Sequence, residues 1–342
     1  MNELKTIQLG VTGVRLRQLN TELLRKTLRH APGGATKLAL SRKTGLSLAT
    51  CGTLLAELLE HGEAVVLARS ESSGGRPPLL YGCNRDNAIS ALLYPEFEDG
   101  TQILTGAAAN AAGELVCCET MHQGVIGPDT VVEALTRLLE RFPRIRGAAV
   151  SVGGEFPELS GGELPQLLKE RIPVPVALDN PMNFVVAGYF ELPDTPESGT
   201  VCWIHFPQNG FPRAGIAVDG VPLRGNSGFA GELSFLPFGI SREQQMLRLR
   251  NRSGVIGQIT ETIASLAAVL NPEQVVLSGS AVDAAMREPL RKLCGELVPP
   301  EHLPKLVFRH DIREACFRGM AVVAQFLPSP QIRLVKHSLP IV

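Results

Sequence analysis

The stretch LSLATCGTLLAELLEHG, residues 46–62, decides how the start of the chain is read. Ser47 stands where a helix N-cap belongs and Gly62 where a helix ends. Between them Leu54, Leu55, Leu58 and Leu59 form one apolar stripe at helical spacing. Upstream, Thr36 caps a short helical run, KLALSRKTG, closed by Gly45. APGG (31–34) separates that run from RQLNTELLRKTLRH (17–30), in which Leu19, Leu23, Leu24 and Leu28 share a face. Downstream, AVVLARS (64–70) and PLLYGC (78–83) are strand-like and are joined by ESSGGR (71–76). Helix, short helix, sharp turn, helix and hairpin make the plan of a winged helix-turn-helix.

Charge supports that plan. The 342 residues hold 33 Lys and Arg against 34 Asp and Glu, a formal net charge of −1. The balance is uneven: residues 1–86 carry 12 basic and 7 acidic side chains, a net of +5, and the remainder a net of −6. A basic head on an acidic body predicts double-stranded DNA as the partner of the head. The helix beginning at Ser47 is the expected recognition helix, with Ser47, Leu48, Thr50, Cys51 and Thr53 toward the base edges. None of these is Arg, Lys, Asn or Gln, the side chains best suited to bidentate base contacts, so direct readout is expected to be weak. Gly52 in this helix costs up to about 1 kcal/mol relative to Ala and suggests a close approach. Phosphate contacts are expected from Thr36, Lys37, Arg42, Lys43 and the helix N-terminus at Ser47. Arg76, in GGRPP at the hairpin tip, suits a narrow A·T-rich minor groove.

Seven scattered cysteines, none in C-x-x-C spacing, predict buried reduced thiols and neither a disulfide framework nor a contiguous zinc site. The opening MNELKTIQLG lacks the segments of a secretory signal, and no run reads as long and apolar enough to span a bilayer. A cytoplasmic protein is expected. From Ala88 onward the pattern is mixed α/β. AISALLY, QILTGAAAN and ELVCCETMHQ read as a strand meander, VVEALTRLLERF as an amphipathic helix, and GAAVSVGG and PVALDN as buried strands. A second meander follows in TVCWIHF, AGIAVDG and VPLRG, with turns at Asp219 and Gly220 and at Arg224 and Gly225. A helix over VIGQITETIASLAAVLN and a strand in NPEQVVLSGSA then repeat the pattern. The expectation is an α/β chain with a winged helix-turn-helix at 1–86. At 87–342 it is followed by a two-lobed, RNase-H-like body of the actin or sugar-kinase type, with a ligand in the interlobe cleft.

Five segments, in order, resemble the ROK family of sugar-responsive repressors and sugar kinases. GLSLATCGTLLAELLEHG with SSGGRPPLLY resembles the family's head. VALDNPMN (176–183) resembles its Glu-Asn-Asp-Ala-Asn segment, and RGNSGFAGELSF (224–235) its glycine-rich segment. LNPEQVVLSGS and EACFRGMAVVA resemble its Asn-Pro-Glu strand and its last helix. The resemblance implies a homodimer or tetramer presenting paired heads to an inverted-repeat operator, with a sugar or sugar derivative as effector. It implies effector contacts at Gly153, Gly154, Asn180, Asn183 and Glu232. For Asn183 and Glu232 the plainer alternatives are a helix cap and an ion pair with Arg224.

The departures from the family pattern bear on catalysis. The family's general base follows the Asn; here Asn180 is followed by Pro181, which takes no proton. Asp179 on the other side would need a bend to substitute for it. The family's Asp-x-Gly-Gly-Thr phosphate loop corresponds to EDGTQ (98–102), which reads as an ordinary turn. The family's zinc site needs a His where Phe235 stands, and cysteines that LPFGISREQQMLRLRNRSG lacks. Phe235 and Trp203 are expected in the core. The reading is a regulator, a repressor without kinase activity, with no catalytic residue, metal or cofactor. An ATP-dependent sugar kinase with a DNA-binding head is the first alternative. A ligand-independent regulator whose body only dimerises is the second.

Overall fold

The computed structural model describes residues 13–69, 78–154, 156–193, 195–196, 198–207 and 210–327. The head contains α1 (Gly13–Arg29), α2 (Lys37–Thr44), α3 (Leu48–Glu60) and the antiparallel pair β1 (Ala64–Arg69) and β2 (Leu79–Cys83). Its boundaries follow from local chemistry. Thr36 Oγ1 accepts the Ala39 N–H at 3.2 Å and Ser47 Oγ that of Thr50 at 3.1 Å, so both predicted N-caps are made. Gly45 ends α2 in the left-handed region, at φ 70°. Leu24, Leu28, Leu40, Leu54, Leu55 and Leu58 form the head's core. The predicted stripe on α1 is only half used: Leu24 and Leu28 are buried, while Leu19 and Leu23, turned about 100° or more from Leu24 around the helix, are exposed.

The body is two lobes of one topology. The first has β3 (Ile89–Glu98), β4 (Thr101–Asn110), β5 (Leu115–Gln123), α4 (Pro128–Arg141), β6 (Ile145–Ser151), α5 (Glu163–Arg171), β7 (Val176–Asp179) and α6 (Pro181–Tyr189). The second has β8 (Thr200–Phe206), β9 (Arg213–Val218), β10 (Val221–Pro222), α7 (Arg242–Arg248), α8 (Arg252–Leu270), β11 (Gln274–Gly279), α9 (Arg287–Leu297), β12 (Lys305–Phe308) and α10 (Arg313–Phe326). The sheet orders are β5-β4-β3-β6-β7 and β10-β9-β8-β11-β12. In each, an antiparallel meander is extended by two parallel strands. Asp99 and Gly100, at φ 47° and 78°, turn β3 into β4, and Asp219 and Gly220, at φ 50° and 77°, turn β9 into β10. Positive φ at both central residues is the tight-hairpin geometry that Asp-Gly favours. EDGTQ is thus a hairpin turn. The predicted VPLRG strand shortens to Val221–Pro222.

Helices α6 and α10 lie between the sheets and are crossed over: α10 packs on β3 and β6 of the first lobe, α6 on β8 and β9 of the second, and each packs on the other. A Cβ on Gly188 would fall 1.8 Å from the Ala315 carbonyl oxygen, and one on Gly319 1.9 Å from that of Phe184. Only glycine permits this approach. Phe184, Tyr189, Trp203 and Phe317 fill the shared core around the pair. The outer faces are covered by α4 and α5 on the first lobe and by α8 and α9 on the second. Helix α8 is 19 residues long and apolar enough to cross a membrane, against the expectation from sequence. Its Val255, Ile259, Ile263 and Leu266 are packed in the second lobe's core, which accounts for its composition.

Candidate functional site

Strands β6 and β7 end side by side, with Ser151 opposite Asp179, where the lobes meet. Beyond β6 the chain turns through Gly153 and Gly154, at φ 90° and 69°. Arg213, opening β9, crosses here: a Cβ on Gly154 would lie 2.3 Å from its Nη1. The segment carrying Glu232 is pinned to the same strand, since the Ala214 N–H donates to the Gly231 carbonyl at 2.9 Å. The first turn of α6 closes the group, with the Met182 carbonyl so near Gly215 that a Cβ there would come to 2.1 Å. Gly153, Gly154, Asn180 and Glu232, read from separate stretches, are brought to one place around the start of β9.

LDNPMN forms the start of α6. Asn180 is the N-cap, its Oδ1 accepting the Asn183 N–H at 3.0 Å. Pro181 occupies the first helical position, where its missing N–H costs no hydrogen bond. Asp179 is saturated. Its Oδ1 accepts from the Asn180 N–H at 2.9 Å and Asn183 Nδ2 at 2.6 Å; its Oδ2 accepts from Arg224 Nε at 2.8 Å and Nη2 at 2.7 Å. A carboxylate so committed has no free position at which to receive a hydroxyl proton. Asn183 is corrected from an effector contact to a positioning residue: it is 3% exposed, and its amide is spent holding Asp179. The cap is Asn180 rather than Asn183, and the Arg224 partner is Asp179 rather than Glu232. Asn180 keeps its amide N–H groups, and Glu232 makes no ion pair among the described residues.

Behind Arg213, across the β8–β9 register, stands His205. Its Nδ1 lies 3.0 Å from Ser278 Oγ, which also accepts the Trp203 indole N–H at 2.7 Å. Burial pushes the His205 imidazole down to about 4, with Asp311 opposing weakly, so the ring is neutral near pH 7. Trp203 is in the core as expected. Phe235 is not: it is 57% exposed, and its ring packs tilted against Phe229, with centroids 4.9 Å apart. The Arg242 guanidinium lies 4.4 Å from the centroids of both Phe235 and Phe211. Cation–π contacts therefore tie down a loop that carries a metal ligand in the family pattern. Among the described residues no group of three or more His, Cys, Asp or Glu is placed to hold a metal ion. Sequence reading missed Arg213, His205 and Arg242, whose meaning depends on neighbours across strands and loops.

On the head, Lys37, Arg42, Lys43, Ser47, Leu48 and Thr53 are exposed. Thr36 and Thr50 are half-buried; Thr36 is spent on its cap, and Thr50 Oγ1 lies 2.9 Å from Ser47 Oγ. Cys51 is corrected: it is fully buried, with Sγ 3.7 Å from Thr44 Oγ1, and cannot meet a base edge. Gly52 makes room for Lys37, whose Nζ would sit 3.2 Å from an added Cβ. Arg76 lies outside the described residues.

No family model matches the chain. A xylose repressor of Caldicellulosiruptor bescii is 28% identical over 243 residues, 64% of this chain and 58% of its own. A xylose repressor of Bacillus subtilis is 21% identical over 233 residues, 63% of this chain and 59% of its own. The match thus spans less than two thirds of either repressor. Among solved structures, a ROK family transcriptional regulator described as a homologue of the E. coli MLC protein superposes with a TM-score of 0.68 at 17% identity. It covers 92% of this chain and 97% of its own, so head and body are both included. A ROK hexokinase from Thermus thermophilus superposes at 0.53 and 18% identity, covering 69% of this chain and 99% of its own. These likenesses show the fold, with its head and its two lobes. The chain thus shares the fold of these ROK family structures and matches curated xylose repressors over part of its length.

Proposed function

We propose that the chain is a DNA-binding transcriptional regulator, a repressor, that responds to a sugar in the interlobe cleft and has no kinase activity. The observation that carries this reading is the pairing of two features in one chain. A winged helix-turn-helix head is joined to a ROK body whose catalytic position is a helix-starting proline beside a saturated Asp179. The likeness to xylose repressors supports the same reading and makes xylose the first effector to test. Glu232, the Asn180 amide and the turn at Gly153 and Gly154 supply hydrogen-bonding groups for vicinal hydroxyls. Effector binding between the lobes shifts their equilibrium and, through a homodimer or tetramer, the spacing of two heads on an inverted repeat.

On DNA, the α3 N-terminus at Ser47 and the exposed Lys37, Arg42 and Lys43 hold phosphates, while Thr36 and Thr50 shape the turn. Thr53 and Leu48 offer only a weak polar contact and an apolar one to a thymine methyl. Arg76, outside the described residues, keeps its proposed minor-groove role. Such work places the protein in the cytoplasm. The test is isothermal titration of xylose into the protein and into Glu232→Ala, alongside a Mg-ATP phosphorylation assay. Binding that the variant loses, without phosphorylated product, is expected. Mg-dependent sugar phosphorylation sinks the reading.

A further inference from the structure

A cavity of about 230 Å³ lies between head and body, at the end of β6 opposite the cleft. Arg146 and Gly147 line it at the start of β6, while Gly153 lies past that strand's other end, about 20 Å away at the rise of an extended chain. Its walls come from α1, α3 and β2 of the head and from β3, β6 and the last turn of α10 of the body. Leu28, Ile89, Ala111 and Phe326 give it apolar surface. Into this surface two charged atoms are left without partners: Arg29 Nε and Glu22 Oε2. The Arg29 side chain is only 7% exposed. Its Nη2 reaches Glu191 at 3.9 Å, and its guanidinium lies 5.8 Å from the Phe326 ring centroid, but neither contact serves Nε. Glu22 gives its other oxygen to Arg25, which also binds Glu63 at 2.5 and 2.8 Å.

Buried, unpaired polar atoms cost free energy, and each calls for an occupant. The cavity holds about eight waters at liquid density, or one organic molecule of hexose size. Its lining carries Arg25, Arg29 and Arg146 against Glu22 and Glu63, an excess of one positive charge. We propose that this cavity binds a small hydroxylated organic anion, a sugar acid or sugar phosphate, as a second effector separate from the cleft. The anion accepts from Arg29 Nε–H, and a hydroxyl donates to Glu22 Oε2. An occupant that touches both head and body binds one head orientation in preference to others and so biases DNA binding.

The test is thermal melting and isothermal titration of the full chain with gluconate and with glucose 6-phosphate. Glucose and sorbitol serve as neutral controls, and Ala111→Phe, Arg29→Gln and Glu232→Ala as variants. One or both anions are expected to raise Tm and bind at a single site per chain, while the neutral polyols do not bind in this cavity. Gluconate alone identifies a carboxylate ligand, and glucose 6-phosphate alone a phosphate ester. Ala111→Phe, which fills the cavity without removing a charge, should weaken binding at least about tenfold while the free variant still melts cooperatively. Arg29→Gln should do the same, and Glu232→Ala should leave anion binding unchanged. No binding of either anion up to ~10 mM overturns the proposal. So does binding that Ala111→Phe leaves intact, or that Glu232→Ala removes. Failure of xylose to bind in the cleft leaves these outcomes readable, because the two sites are tested by different variants.

Discussion

Asp179 and Arg224 are the residues whose pairing argues most directly against phosphoryl transfer. The pair is buried, with side chains 8% and 18% exposed, so removing one partner strands the other charge. Arg224→Met should therefore lower unfolding stability by about 3 kcal/mol in urea titrations, whereas a surface ion pair would cost under about 1 kcal/mol. His205 makes a prediction in pH. Its folded-state value of about 4 lies below the ordinary 6.5, so protonation favours the unfolded chain. The stability linked to this histidine is complete above pH 6.5 and is lost as the pH falls toward 4. The shift corresponds to roughly 3 kcal/mol. His205→Phe should flatten the wild-type decline across that window, which paired urea titrations at several pH values would show. Sequence could not have exposed either effect. Arg224 meets Asp179 across 45 residues of chain, and His205 is neutral because of what is packed around it.

At the scale of elements, α6 is the piece on which fold and site both depend. It begins at the cleft with Asn180, closes on α10 through Gly188, and is followed by Glu191, which meets His30 of the head at 3.1 Å. Burial raises the Glu191 carboxyl, but the His30 hydrogen bond and the Arg29 charge outweigh it and hold the group below its usual range. Gly188→Ala should cost about 3 kcal/mol or more, because the added carbon meets backbone that cannot move aside. Pro181→Asp is the opposite case. An acid at the first helical position suits the helix dipole, so thermal melting should show little change. Kinase assays should still give no product, because the EDGTQ turn offers no glycine-rich phosphate cradle. Local signals made these elements legible: Thr36 and Ser47 as caps, the Asp-Gly turn, and the alternating strands. Cys51 and Phe235 differ from expectation because their burial is decided by how the adjoining helices fold back on them, α2 bringing Thr44 to Cys51 and α7 bringing Arg242 to Phe235.

For the whole molecule, the account requires cleft and head to act as one switch. Two lobes of identical strand order clasp α6 and α10, and the ends of those helices touch α1 at Arg29 and His30. In the proposed reading, sugar binding at the start of α6 would be coupled to head orientation at its end through a packed element rather than through a flexible linker. With few base-reading side chains on α3, affinity should rest on phosphate contacts and fall steeply with salt. The most direct measurement is fluorescence anisotropy of the protein on a duplex selected from a random library, with and without xylose. The account predicts an inverted-repeat motif bound by paired heads, and an affinity that changes at least about fivefold when sugar is added. Selection that yields no motif, or an affinity that no sugar in a panel alters, would contradict it.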